Sequence, residues 1–76
     1  MTDWLEQVRR GRNMPWLRRG LLIDVNGERG IVVDGNTSMN LQVKFLAANQ
    51  AQNCHPTWET TYYDEHGTLL AEYKKQ

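Results

Sequence analysis

Cys54, His55 and His66 are the side chains best suited to hold a soft metal ion or to act as nucleophile and base. A structural zinc site takes four ligands, usually with paired cysteine spacing. Here there are three candidates, and two of them are neighbours in the chain. Adjacent side chains on an extended segment point apart, so Cys54 and His55 are not arranged as a nucleophile and its base. His66 would have to serve instead, and nothing upstream reads as an oxyanion hole. Asp64 and Glu65 could work as acid and base. They belong, however, to Asp64-Glu65-His66-Gly67, a turn in which acids are ordinary. Gly27 and Gly30 do not lead from a strand into a helix, the context that a phosphate-binding loop requires. The residues therefore predict no enzyme, no metal and no cofactor. Cys54 is expected to be partly buried, His55 to hydrogen-bond to backbone, and His66 to stand in water.

Arginine is the second chemistry-bearing group. Residues 1–19 hold Arg9, Arg10, Arg12, Arg18 and Arg19 against Asp3 and Glu6, a balance of 5 − 2 = +3. Residues 20–76 hold Arg29, Lys44, Lys74 and Lys75 against seven acids, a balance of 4 − 7 = −3. A basic arm on a mildly acidic body suits phosphate, because guanidinium forks match phosphate oxygens and an indole such as Trp16 can stack on a base. Two other readings stay open. Trp16 can pack over one end of the fold while the arginines pair with Asp24, Glu28, Asp34 or Glu59. Alternatively Trp4 and Trp16, with the arginines, can form a protein-binding patch, since Trp and Arg are enriched at interface hot spots.

The elements that would position these residues are short. Thr2, Asp3 and Glu6 suit the start of a helix, Trp4, Leu5 and Val8 share one face of it, and Gly11 ends it. Pro15 pushes Met14 towards extended geometry, so Met14-Pro15-Trp16-Leu17 reads as a linker. From Gly20 the period changes to two. Residues 21–25, 31–33, 41–45, 57–63 and 68–73 read as five strands. The turn at 26–30 carries Gly27 and Gly30, either able to supply positive φ. Residues 47–56 have no period and read as the longest loop. The inward set is Leu21, Ile23, Val25, Ile31, Val33, Leu41, Val43, Phe45, Trp58, Tyr62, Leu69 and Ala71. Lys74, Lys75 and Gln76 are expected to fray. The expectation is one mainly β domain, a five-stranded antiparallel SH3-like small barrel with a short N-terminal α-helix. Residues 1–19 form the helix and basic arm, and 20–76 form the barrel.

Val25-Asn26-Gly27-Glu28-Arg29-Gly30-Ile31-Val32 resembles the KOW motif of small SH3-like barrels in ribosomal proteins and transcription factors. Gly30 matches the signature glycine and Arg29 the nearby base. The likeness covers eight residues of 76. The chain as a whole is similar to the short proteins of bacteriophage and prophage genomes. The KOW resemblance implies binding to RNA or to the transcription machinery.

No apolar run approaches the roughly twenty residues of a membrane helix, and the first residues lack the basic and apolar regions of a signal peptide. One cysteine fits a reducing compartment, so a cytoplasmic location is expected. The functional expectation is a non-enzymatic module that contacts nucleic acid, RNA or DNA, through Arg9, Arg10, Arg12, Arg18, Arg19 and Trp16. The alternative is a phage-type accessory protein that binds a host protein of the nucleic-acid machinery through Trp4 and Trp16 and modulates its activity. No membrane and no small-molecule substrate is expected.

Overall fold

The computed structural model describes residues 2–74. One helix, α1 (Trp4–Gly11), precedes six strands: β1 (Leu22–Val25), β2 (Glu28–Gly35), β3 (Leu41–Phe45), β4 (Ala51–Cys54), β5 (Thr60–Tyr63) and β6 (Leu69–Tyr73). They form one sheet in the order β4-β3-β2-β1-β5-β6, with every neighbouring pair antiparallel. The mainly β class with a short N-terminal helix is as the residues predict. The strand count is six instead of five, and the sheet is open, with β4 and β6 at its edges, instead of a closed barrel.

The extra strand is β4, which lies inside the segment expected to be a loop. Ala51, Gln52 and Asn53 are exposed, so no apolar alternation marks them. A polar edge strand carries no burial signal, and its polarity discourages pairing with another chain. Backbone pairing to β3, from Leu41↔Cys54 to Lys44↔Ala51, makes it a strand all the same.

The β1–β2 hairpin sets which face of the sheet is wet. Asn26 (φ 50°) and Gly27 (φ 85°) form a two-residue turn with positive φ at both positions, the arrangement that matches strand twist. Val25 therefore pairs with Glu28 and Ile23 with Gly30. Since Ile23 points inward, Gly30 and Val32 do too, and Ile31 and Val33 face out. Their expected places in the core are corrected by this one-residue shift. The expected positive φ belongs to Gly27 and not to Gly30. Gly30 is required by space: a Cβ there would stand 2.8 Å from Val43 Cγ1 and 2.9 Å from the Lys44 carbonyl oxygen. A bulge at Val33 restores inward facing at Gly35, opposite Leu41.

Two more inward assignments change. Trp58 is exposed, because Glu59 (φ 52°) breaks the alternation before β5 begins at Thr60. Leu69 is exposed, because a bulge between the Tyr62↔Ala71 and Tyr63↔Leu69 pairs places it on the outer face beside Tyr63. Val25 and Ala71 are half-buried against the core. Leu21, Ile23, Leu41, Val43, Phe45 and Tyr62 are buried as expected.

The N-terminal segment completes the core. Asp3, in place of Thr2, caps α1 by accepting from the Leu5 and Glu6 N–H groups. At the other end Asn13 (φ 55°) takes the left-handed conformation, Asn13 N donates to Arg10 O, and Met14 N donates to Arg9 O. That double closure turns the chain back under the helix. Met14 and Leu17, expected in a linker, are thereby buried with Leu5 and Val8. Trp4 stays partly exposed. The helix sits against β2 at Gly35, where a Cβ would stand 2.5 Å from the Trp4 carbonyl oxygen.

Tyr62 occupies the middle of this core. Its ring lies 4.8 Å from that of Trp16 and 6.1 Å, edge-on, from that of Tyr73. Its hydroxyl and that of Thr60 both donate to the Pro56 carbonyl. Among the described residues no buried side-chain nitrogen or oxygen lacks a partner. Of the expected fraying, Lys75 and Gln76 lie outside the described residues.

Gly35→Ala is expected to cost about 1–3 kcal/mol, since the helix must lift off the sheet. Met14→Ala is expected to cost about 2–5 kcal/mol as a core truncation. Urea denaturation measures both. A Met14→Ala chain as stable as the parent would return that segment to the role of a linker.

Candidate functional site

Four of the five arginines end up beside acids. Arg9 pairs with Glu6 and donates through Nε to the Leu17 carbonyl at 2.6 Å. Arg10, the most exposed of the five, reaches Glu6 Oε1 at 3.0 Å. Arg18 meets Glu65 at 2.5 Å. Arg19 bridges Asp3 at 3.0 Å and Asp34 at 2.7 Å, and its hydrogen bond holds the Asp3 carboxyl below the usual carboxylate range. Arg12 is half-buried and serves as a strut: Nε donates to the Met39 carbonyl at 2.9 Å, and one terminal nitrogen donates to Asn40 Oδ1 at 3.2 Å. Four of the five positive charges, those of Arg9, Arg10, Arg18 and Arg19, thus pair with four carboxylates, those of Asp3, Glu6, Asp34 and Glu65. Exposed pairs of this kind contribute little to stability, but they cancel most of the local field that would attract phosphate. Trp16 is half-buried against Tyr62, so one side of its indole is unavailable for stacking.

The outer face of the sheet presents a feature that sequence reasoning missed. The strand registers align Ala51, Lys44, Ile31, Leu22, Tyr63 and Leu69 in one row across all six strands. Neighbouring members stand about 5 Å apart, the spacing of paired strands. Ile31 is 37% exposed and Leu69 56%, with Leu22 and Tyr63 half-buried between them. Arg29 pairs with Asp24 at 2.9 Å beside the row and holds its guanidinium 5.5 Å from the centre of the Tyr63 ring. Lys44 lies in the row itself and has no ion-pair partner among the described residues. The signal available in the sequence was Asn26-Gly27: reading it as a complete two-residue turn starts β2 at Glu28 and turns Ile31 outward.

A third cluster forms where β3 begins and β4 ends. The His55 and Trp58 rings stack, with centroids 4.2 Å apart and planes 12° from parallel. The Thr57 N–H donates to His55 Nδ1 at 3.2 Å, and Nε2 lies 3.4 Å from an Arg12 terminal nitrogen. Burial first, and then the Arg12 guanidinium, lower the His55 pKa below the ordinary imidazole value. Protonation would make both ring nitrogens donors, against a backbone N–H on one side and a cation on the other.

Cys54 is half-buried, and burial, followed by the charge of Glu28, pushes its thiol up, the reverse of nucleophile activation. His66 is exposed in the β5–β6 turn, 3.8 Å from Glu65. Among the described residues no three His, Cys, Asp or Glu side chains gather as a metal site would need, and no helix is long and apolar enough to cross a membrane. No family model matches the chain, and neither a curated protein nor a solved structure does.

The His55 environment has a pH signature. Its folded pKa lies below the unfolded value of about 6.5, so the unfolded chain binds more protons in that window. The stability from this ring is complete above about pH 6.5 and is lost as the pH falls below it, through the folded value. Melting temperature is expected to drop between pH 7.5 and pH 5, and His55→Gln to flatten that part of the profile. An unchanged profile in His55→Gln would show that the ring does not couple to folding.

Proposed function

We propose that this chain is a non-enzymatic protein-binding module that docks a partner through the outer face of its sheet. The observation that carries the reading is the row Lys44-Ile31-Leu22-Tyr63-Leu69, an apolar strip that crosses the sheet in register and ends at a lysine with no ion-pair partner among the described residues. Such strips on small soluble chains mark interaction sites. Its chemistry suits a partner surface with apolar anchors and a carboxylate opposite Lys44. Trp4, half-open on the other side of the sheet, remains the anchor on the helix side. This reading corresponds to the accessory-protein alternative, with a host protein as partner. The resemblance of residues 25–32 to the KOW motif carries no weight in this reading, because Gly30 lies inside β2 and the positive φ belongs to Gly27. The sheet is a four-strand meander with β5 returning beside β1, and a fold by itself leaves function to the site.

Nucleic-acid binding through Arg9, Arg10, Arg12, Arg18, Arg19 and Trp16 is the second reading. The exposure of Arg10, at 76% of its side chain, favours it, because a weak surface pair can be exchanged for phosphate.

One experiment separates the two. Tagged protein is used to capture partners from bacterial lysate, with and without nuclease, alongside an Ile31→Asp/Leu69→Asp variant and an Arg10→Glu/Arg18→Glu/Arg19→Glu variant. Docking through the sheet predicts capture that survives nuclease, weakens at least about tenfold in the first variant and depends little on salt. Capture that nuclease abolishes, that the arginine variant loses, and that falls with a slope near −0.7 per phosphate on a log–log salt plot would establish the second reading instead.

A further inference from the structure

The β1–β2 turn contains a reactive pair. Of the six asparagines in the chain, only Asn26 is followed by glycine. The backbone nitrogen after an asparagine can attack the side-chain carbonyl carbon, and a Cβ on the attacking residue hinders the ring that forms. Glycine has no Cβ. The structure adds three conditions. Asn26 and Gly27 are both exposed, so water reaches them. Open space surrounds the place where a Gly27 Cβ would stand, so the peptide has room to rotate into line. Among the described residues, neither the Asn26 side-chain amide nor the Gly27 N–H is engaged in a hydrogen bond. Asn36, Asn40 and Asn53 are the contrast. Asn36 Oδ1 accepts from Ser38 N at 3.0 Å and from Asn40 N at 3.2 Å, and its Nδ2 donates to Asn53 Oδ1 at 2.6 Å. Asn40 Oδ1 accepts from Arg12 at 3.2 Å. These three amides are tied, and the residues after them are Thr37, Leu41 and Cys54.

We propose that Asn26 is a site of spontaneous deamidation, and that its isoaspartyl product unfastens the turn. The Gly27 nitrogen forms a bond to Asn26 Cγ. The Cγ–Nδ2 bond breaks, and ammonia leaves with the proton that the Gly27 nitrogen gives up. Water then opens the resulting cyclic imide. Attack at Cγ restores the ordinary chain, with an aspartate at position 26. Attack at the former backbone carbonyl carbon breaks its bond to the Gly27 nitrogen and leaves the chain running through Cβ and Cγ. Nothing is oxidised or reduced, and water is the co-reactant. The isoaspartyl product has one more main-chain atom and one more negative charge. The turn has no slack for that atom. Val25 pairs with Glu28 directly behind it, and Asn26 N donates to the Glu59 carbonyl at 2.8 Å, which ties the turn to the residue before β5. Positive φ at both turn residues closes a connection of ordinary length. A longer connection frees β1 to slip against β2. The new carboxylate also enters a stretch where Asp24 and Glu28 face Arg29 as the sole base. The inference is independent of what docks on the outer face.

The full chain is incubated in warm, mildly alkaline buffer and sampled over weeks. Peptide mapping by mass spectrometry, with electron-transfer fragmentation to tell isoaspartate from aspartate, locates the product. Asn26 is expected to convert at least about tenfold faster than Asn36, Asn40 or Asn53, because glycine leaves the closing ring unhindered. The isoaspartyl form is enriched by ion-exchange chromatography. Its urea midpoint is expected to fall below that of the parent, and hydrogen-exchange protection in β1 and β2 to fall with it. Two variants separate charge from backbone. Freshly prepared Asn26→Asp carries the same charge on an ordinary chain and should stay close to the parent. Asn26→Gly keeps a favoured turn sequence without a side-chain amide, so incubation should leave its midpoint unchanged. Conversion of Asn26 no faster than that of the three tied asparagines overturns the inference. So does an isoaspartyl form as stable as Asn26→Asp.

Discussion

The Asn26-Gly27 turn is the constraint on which the remaining geometry depends. With positive φ at both residues it permits one pairing of β1 with β2, Val25 opposite Glu28. From that pairing Gly30 must face inward, and no larger residue fits between it and β3. Val32 then enters the core and Ile31 leaves it. β2 carries the assignment to β3, and β1 carries it to β5 and β6. A shift of one residue at this turn would exchange the buried set for the exposed row. The core and the docking strip are therefore two consequences of one backbone conformation.

Electrostatics follows a similar logic of placement. Along the chain the bases gather at the start and the acids later. Folding brings the two together: Arg18 reaches Glu65 in the last turn, and Arg19 reaches Asp34 in β2 while also holding the helix cap at Asp3. What reads in one dimension as a basic arm is, in three, a seam that fastens the N-terminal segment to the sheet. The cations outside this seam have separate roles: Arg12 braces His55, Arg29 lies beside Tyr63, and Lys44 stands within the apolar row.

The helix, the strands other than β4, and half of the expected core were legible because each has a clear period or a clear cap. Leu41, Val43 and Phe45 alternate, and so they are buried. The misreadings share a physical cause. Ile31, Val33, Trp58 and Leu69 are apolar residues whose facing is set by a turn, a bulge or a positive φ, and hydropathy does not encode those. β4 was hidden because an edge strand buries almost nothing. Met14 and Leu17 were hidden because proline signals the end of a helix but does not say where the chain goes next. The residues of the Trp58 cluster come from the helix C-terminus, the β2–β3 connection, β4 and the β4–β5 turn, and no local spacing joins them.

The strand order also dictates the sequence of assembly. β1, β2, β3 and β4 pair with their chain neighbours, and α1 packs on β2 close by. β5 is different: it must return from beyond β4 to lie against β1, joining Leu22 to Tyr63. Closing so long a stretch of chain is entropically costly and comes late in folding. A β5–β6 hairpin that detaches breaks the longest-range pairing of the sheet. It takes with it Tyr62 from the core and Tyr63 and Leu69 from the outer row. A partner seated on that row clasps the hairpin to the meander, so occupancy of the surface and lifetime of the folded chain are thermodynamically linked.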